Sequence, residues 1–398
     1  MKILAVLPRF PYPLEKGDKL RAYHQLRLLA REHDVYLFCT SHHKPAANHL
    51  DEVRRFCKEV QVVRRGKLQS LAGAVYSFLK GGSLQLGYWN SRRIRSSFAT
   101  FEQRVQPDVI YCQMVRTMPL VARLPFLKVM DFQDALSLNS ERRMEQTTGF
   151  WRYVLHYEFK MLRSSEYNAF SIFDALTIIS EVDSEAIPHR KNGEIHIITN
   201  GVDTNFFSRT PVIPVQLPDN PSFTICFCGN MSYAPNVDAA CWLVKEIMPL
   251  VWRRNPYGVN VLIAGADPKP AVKALAGNKV TVSGRLDDIR AAYASARMFV
   301  APMRIGSGMQ NKLLEAMSMG LPCVTTTIAA TPLGAVPWQH LLVGDSADEI
   351  ADRIAKLTIE ETHDAIADGG QRFVRERFSW HAAVKPLENI LYGQLESK

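Results

Sequence analysis

No run of about 18 apolar residues occurs anywhere in the 398-residue sequence, which excludes a helix that crosses a membrane. The opening MKILAVLP is too short an apolar stretch, before Arg9 and the prolines that follow, to act as a signal peptide, so the expected location is the cytoplasm. Cysteine is sparse and odd in number. Seven residues without framework spacing exclude a disulfide scaffold and agree with a reducing compartment. Cys226 and Cys228 stand two apart inside an apolar run and read as core residues, because a metal site there would need a second clustered pair of ligands. Acids are nearly absent from one stretch: between Arg54 and Arg95, ten basic residues accompany a single acid, Glu59.

What is present is the composition of a soluble globular chain, 47% hydrophobic and 22% charged. Its length exceeds one ordinary core and implies two domains of roughly 200 residues each. The net charge of +9 asks for an anionic partner. Nucleic acid is set aside because no recognised binding module appears; an anionic membrane and a lipid-diphosphate acceptor remain. Within residues 54–95 the basic residues are interleaved with Leu68, Leu71, Val75, Tyr76, Phe78, Leu79, Tyr88 and Trp89. Such a pattern suits a basic amphipathic surface at a bilayer interface, and equally a solvated face whose apolar residues point into the core.

Along the chain, apolar runs suited to buried strands recur at Lys2–Pro8, Asp34–Thr40, Val60–Val63, Asp108–Gln113, Lys128–Gln133, Ala175–Ser180 and Ile195–Thr199, with helical patterns between them. A second series follows at Phe223–Cys228, Asn260–Ala264, Val280–Ser283, Met298–Ala301 and Cys323–Thr326. This βαβ alternation predicts parallel sheets covered on both faces, with ligands beyond the carboxyl ends of the strands. TPVIPVQLPDNP, with four prolines, reads as a linker between the two series. The tail FSWHAAVKPLENILYGQL reads as a helix that Pro386 should kink.

The stretch Arg304 to Pro322, RIGSGMQNKLLEAMSMGLP, carries the most chemistry. Gly306, Ser307, Gly308, Met309 and Gln310 form a loop directly after the Met298–Ala301 strand pattern, and a helix should follow with Leu313, Leu314 and Met317 inward. Lys312 and Glu315, three apart, share one helical face and lean toward the helix start, where free N–H groups favour an anion. Arg304 and Lys312 can add full charge, and Glu315 can accept hydrogen bonds from hydroxyls. A nucleotide with a diphosphate and a ribose meets these demands; a solvated surface pair is the competing explanation.

The whole segment resembles the donor-binding signature of the retaining glycosyltransferases of family 4, in which a glycine-containing loop leads into a helix reading LLEAM, followed by G, one residue and P. Here these are Leu313 to Met317, Gly320 and Pro322. NGVDTNFF, Asn200 to Phe207, resembles the element by which such enzymes pass between domains. The resemblance implies a GT-B fold: two doubly wound, Rossmann-like α/β domains facing a cleft, at residues 1–203 and 204–377, and a C-terminal helix, 378–398, crossing back to the first. It also implies that Gly17 and Arg21 lie beside donor and acceptor, and that the turn at Gly284, Arg285 and Leu286 meets the nucleobase.

Departures from the family pattern are specific. Ser307 stands where many members carry a glutamate that contacts the donor sugar. No histidine occupies the region of Asp131 and Asp134; the subgroup associated with bacterial exopolysaccharide loci instead reads D, F, any residue, D, which VMDFQDALS matches. Either aspartate could bind a sugar hydroxyl or take its proton, with helix capping the competing role for Asp134. Where the family grips the diphosphate with Arg and Lys, this chain has Gly229, Asn230 and Met231, then Pro235 and Asn236. Arg304 and Lys312 are expected to replace the lost cations and to act, with the two aspartates, as the catalytic groups.

The implied activity is metal-independent transfer of a hexose from a UDP- or GDP-linked donor to an envelope or exopolysaccharide acceptor, free or lipid-linked. No further cofactor is implied. Location on the inner face of the cell membrane follows if residues 54–95 meet lipid. A nucleotide-sugar epimerase on the same fold, or a non-catalytic sugar-nucleotide-binding subunit of an assembly complex, would share these features.

Overall fold

The computed structural model describes residues 1–14, 17–145, 147–208, 212–217, 223–254, 258–305 and 309–396. The glycine loop 306–308 and most of the proline-rich linker therefore lie outside the described residues. The chain forms two compact units. One comprises Met1–Asn200 with Ala383–Lys398, the other Gly201–Ala382, so the division falls inside the NGVD element.

The first unit is built on seven parallel strands: β1 (Lys2–Leu7), β2 (Asp34–Ser41), β3 (Glu59–Arg64), β4 (Val109–Gln113), β5 (Leu127–Asp131), β6 (Ala175–Ile178) and β7 (His196–Ile197), in the order β3-β2-β1-β4-β5-β6-β7. The apolar runs of β1 and β4 are buried from end to end, because helices cover both faces of a parallel sheet. The second unit repeats the plan with six parallel strands: β8 (Phe223–Cys228), β9 (Val259–Ala264), β10 (Val280–Gly284), β11 (Met298–Ala301), β12 (Cys323–Thr325) and β13 (Leu342–Val343), in the order β10-β9-β8-β11-β12-β13. Both are doubly wound sheets, as the alternating pattern requires. β13, two residues long, has no counterpart among the runs read from the sequence.

In each sheet the order reverses once, between β1 and β4 in the first and between β8 and β11 in the second. The connections leave in opposite directions there, which opens a crevice beyond the carboxyl ends. The crevices differ in how their walls are made. Around the first, β4 and β5 are each followed closely by a non-glycine residue in the left-handed region: Met114, directly after β4, has φ 63°, and Gln133, two residues beyond β5, has φ 62°. Such strain persists where surrounding structure fixes it and clusters at functional positions. Around the second, Gly265 (φ 144°) follows β9 so closely packed that a Cβ there would lie 1.7 Å from the Gly229 carbonyl oxygen. Only glycine fits, and this contact sets the path of the loop after β8.

The last helix, Trp380–Glu396, continues unbroken through Pro386. From Ala383 onward it belongs to the first unit, where Leu387 and Leu391 are fully buried, the His33 imidazole lies 3.5 Å from Glu388, and Tyr392 packs edge-on to His33. Among the described residues no helix is long and apolar enough to cross a membrane.

The mixed basic and apolar stretch divides in two. Leu68, Leu71, Val75, Tyr76, Phe78 and Leu79, on the Lys67–Leu79 helix, are exposed, Leu68 by 84% and Leu79 by 75%. They do not point into the core. Trp89, at the end of the Leu84–Trp89 helix, is buried.

Candidate functional site

Beyond the carboxyl ends of the first sheet, Arg21 and Asp131 form a buried ion pair. Asp131 ends β5 and is wholly inaccessible; Arg21, from the Gly17–Leu29 helix, is 1% exposed. Arg21 Nε donates to Asp131 Oδ2 at 2.6 Å, and its Nη1 reaches the Thr199 carbonyl at 3.2 Å and Asn200 Oδ1 at 3.1 Å. Asp131 Oδ2 also accepts from the Tyr111 hydroxyl (2.8 Å) and Gln25 Nε2 (3.4 Å), while Oδ1 accepts from the Gln133 amide (3.1 Å). Burial, then the Asp131 charge, pushes the Tyr111 phenol well above its ordinary value, so it stays a donor. Asp131 and Arg21 thus neutralise one another inside the unit, the Tyr111 hydroxyl proton being shared between Asp131 and Gln25 Oε1 (2.6 Å), while Arg21 Nη2 is buried without a hydrogen-bond partner.

Asp134 is placed differently. With Gly17, it lines a polar cavity of about 380 Å³ whose wall also carries Arg9, Asp18, Met114, Arg116, Gln133 and Arg143. Its carboxyl is pushed up by desolvation and then by the charges of Asp183 and Asp131. Capping does not account for it. The first amides of the following helix are served elsewhere, Ala135 N by Asp183 (3.4 Å) and Ser137 N by Glu166 (2.9 Å). Arg9 and Arg116 had no signal in the sequence, because only the parallel pairing of β1 with β4 brings the two loops together.

In the second unit the loop after β8 is held by backbone bonds, Gly229 N to Ala264 O at 3.0 Å and Met231 N to Ala266 O at 2.8 Å. The exposed Asn230 side chain closes on Ser232 (2.9 and 2.7 Å), and its carbonyl accepts from Asn236 Nδ2 at 2.9 Å. That leaves Asn236 Oδ1 turned to Lys312, which donates to it. The Lys312 ammonium lies 3.7 Å from Met303 Sδ and 5.1 Å from the Phe227 ring, so its close partners are all neutral. Desolvation lowers it to about 8, with the Cys228 and Glu315 charges opposing. Glu315, one turn on in the Asn311–Ser318 helix, accepts from the Tyr293 hydroxyl at 2.7 Å. Burial raises its carboxyl to about 7 against the pull of that bond and of Lys312.

Arg304 is not equivalent to Lys312. It grips Asp238 through two bonds of 2.6 and 3.0 Å and stacks over Trp242 at 4.8 Å, so its charge is already matched. The expected loop residues Gly306, Ser307 and Gly308 lie outside the described residues; Met309 and Gln310 are half-buried, and the Gln310 carbonyl accepts the Leu313 amide at 2.9 Å. Gly284 has φ 70°, Arg285 is exposed, and Leu286 packs against the core. Asn236, Tyr293 and Asp238 are site residues that sequence reasoning did not assign. One group of possible metal ligands among the described residues, Glu360, His363 and Asp364, is tied up with Arg297 away from either crevice.

Residues 222–359 match the family model described as glycosyl transferases, group 1. An uncharacterized 44.6 kDa protein in the cps region of Klebsiella pneumoniae is 23% identical over 371 residues, with 88% of each chain covered. Two solved structures are similar along their whole length. Sucrose-phosphate synthase from Thermosynechococcus elongatus is 14% identical, with 100% of each chain covered and a TM-score of 0.65. Anabaena HepE in complex with UDP and glucose is 17% identical, covering 99% of this chain and 100% of that one, with a TM-score of 0.62. The fold is therefore GT-B, and the second unit carries the region that matches the glycosyl transferases.

The revised role of Asp131 is testable. Asp131→Ala strands the Arg21 guanidinium without a counter-charge and should cost about 3–5 kcal/mol in denaturant unfolding. Asp134→Ala, at a half-buried position, should cost about 1 kcal/mol or less. A stable Asp131→Ala protein that has lost activity would return Asp131 to the catalytic groups.

Proposed function

We propose that this protein is a retaining glycosyltransferase of family 4 that moves a hexose from a nucleoside diphosphate donor to an envelope or exopolysaccharide acceptor. The observation that carries this reading is the pairing of Lys312 and Glu315 beside the crevice of the second unit, within the segment that matches the group 1 glycosyl transferases. Lys312 is a desolvated cation without a carboxylate partner, and a diphosphate supplies the missing charge. Glu315 accepts from ribose hydroxyls. Asn230 and Pro235 stand where the family pattern has its cations, and Asn236, next to Pro235 and bonded to Lys312, positions the ammonium instead. Arg304 shares its charge with Asp238 and contributes less.

In this reading catalysis is electrostatic and needs no metal. The bond from the anomeric carbon to the diphosphate breaks as the acceptor oxygen bonds to that carbon on the same face. Lys312 stabilises the departing diphosphate, and the acceptor proton passes to an oxygen of that leaving group. Likeness to HepE, whose structure holds UDP and glucose, supports a UDP-linked donor. Consumption of nucleotide sugars with and without acceptor tests the assignment: an epimerase converts its donor without acceptor, and a non-catalytic subunit binds without turnover. NMR of the first product from an α-linked donor should show an α linkage, and a β linkage excludes retention.

Lys312→Ala should lower turnover by about 30-fold to 1,000-fold, the equivalent of about 2–4 kcal/mol, and Arg304→Ala by less. Nucleoside diphosphate affinity should be bell-shaped in pH. It falls below about 7, as Glu315 gains a proton and stops accepting from ribose, and above about 8, as Lys312 loses its charge. The bare nucleoside should keep the acid limb and lack the alkaline one. Calorimetry on both ligands shows this directly, and an alkaline limb in both would remove Lys312 from the diphosphate.

The protein is assigned to the cytoplasm, held peripherally on the inner face of the membrane. The exposed apolar side of the Lys67–Leu79 helix supports this, as does a neighbouring groove that carries Lys80, Arg92, Arg93 and Arg95. Phe150, Trp151 and Tyr153 are exposed on the adjoining Phe150–Ile172 helix, joined to the first by the Phe78–Tyr157 ring contact. Co-sedimentation with vesicles rich in anionic lipid should be lost when Leu68 and Leu79 are replaced by Asp. Unchanged binding rejects this surface.

A further inference from the structure

Trp89 gathers three guanidinium groups. The Arg65, Arg116 and Arg9 carbons lie 3.4, 5.6 and 5.7 Å from its ring centroid. Attraction to the indole face favours each cation, and the three like charges repel one another. Carboxylates do little to neutralise them. Arg9 alone has such a partner, Asp18 at 2.7 Å. Arg116 is held by neutral atoms, Gln85 Oε1 at 2.7 and 3.1 Å and Met114 Sδ at 3.6 Å. Arg65, 4% exposed, meets the ring nitrogen of His42, and its Nε and Nη1 have no hydrogen-bond partner. Burial pushes both Arg65 and Arg116 down to about 10, so both keep their charge at neutral pH; among the described residues neither is hydrogen-bonded to a carboxylate, and the charges of Asp18, Glu158 and Asp134 only partly offset the burial of Arg116.

The arrangement is built rather than loose. Glu158 accepts the Leu84 and Gln85 amides at 2.8 and 3.1 Å, which anchors the Leu84–Trp89 helix and with it the Gln85 side chain that fixes Arg116. Arg9 and Arg116 then form one wall of the 380 Å³ cavity, whose other walls carry Arg143 and Asp134. Met114 and Gln133, the two residues with strained backbone, also line it. With Arg9 and Asp18 neutralising one another, Arg116 and Arg143 face the cavity against the single carboxylate of Asp134, and Arg65 adds a further positive charge from behind Trp89, an excess that favours an anion. Planar guanidinium forks suit phosphate oxygens.

We propose that this cavity binds the phosphate or diphosphate group of the glycosyl acceptor, and that Asp134 beside it receives the acceptor hydroxyl. The second part rests on the glycosyl-transfer reading; the anion site itself does not. The acceptor class is then a phosphorylated saccharide, and a neutral glycan is disfavoured.

Calorimetric titration tests the site without requiring turnover, so its failure and that of the transfer reading are separate results. The full chain carrying Lys312→Ala, which silences the phosphate partner in the second unit, is titrated with inorganic pyrophosphate, with a hexose 1-phosphate, with geranyl diphosphate and with a neutral methyl hexoside. One molecule of each phosphorylated probe should bind, and the methyl hexoside at least tenfold more weakly than the hexose 1-phosphate. Adding Arg116→Gln should weaken phosphate binding tenfold or more. Arg143→Gln, at an exposed position that folding does not depend on, should weaken it at least threefold. Tighter binding of geranyl diphosphate identifies a lipid-borne anion, and tighter binding of hexose 1-phosphate a soluble one. Equal affinity for the methyl hexoside and hexose 1-phosphate, or phosphate binding unchanged by Arg143→Gln in a folded protein, overturns the proposal and leaves the arginines as packing for Trp89.

Discussion

A parallel strand covered on both faces has nowhere along its length for a free charge, and this constraint organises the whole protein. The apolar runs of β1, β4 and β11 are buried, so charged side chains are confined to the strand ends and the segments beyond them. Two reversals of strand order then decide where those segments part to leave room for a ligand. The Arg9, Arg116 and Asp134 cluster and the Lys312, Glu315 and Asn236 cluster are consequences of the same rule applied twice.

Within that constraint the fold treats its buried charges in two ways. Arg21 with Asp131 is matched in charge: donors surround the carboxylate, and the guanidinium, with only Nη2 unpartnered, ties the Gly17–Leu29 helix to β5 and to Asn200 at the end of the unit. A pair of this kind contributes little net stability over an apolar substitute, but breaking it is costly, so it fixes geometry more than it adds energy. Arg304 with Asp238 is an exposed relative of the same device. Lys312, Arg65 and Arg116 are the opposite case. Each is substantially desolvated and has neutral hydrogen-bond partners. Sites of this second kind are where an incoming anion changes the energetics most, and for that reason the proposed donor and acceptor anions are placed there.

The two clusters also differ in how they are held. Around Lys312 the frame is close backbone packing, Gly265 against Gly229, which places the Ala234–Trp242 helix and so Asn236. Around Arg116 it is a relay of side chains, Glu158 to the Leu84–Trp89 helix, Gln85 to the guanidinium, and Trp89 beneath. Backbone packing tolerates almost no substitution at its glycines. The relay accepts change at its surface members, such as Arg143, and little at its buried ones.

The sequence by itself determined the two parallel sheets, nearly every strand in them, the helix from Asn311 and the common face of Lys312 and Glu315. All of these follow from apolar periodicity and local spacing, which a linear chain displays. It also supplied Asp131 and Asp134 as a pair without distinguishing them. Tertiary structure made that distinction, because residues 110 and 106 positions away, Arg21 and Gln25, close over Asp131 and leave Asp134 at the cavity. The same holds for Arg304, whose charge looked free until Asp238 was found 66 positions before it, and for Trp89, which shares its sequence pattern with the exposed residues of the preceding helix. Whether a charged or aromatic residue faces solvent, a partner or a cavity depends on contacts made across the sheet, and no local pattern encodes those.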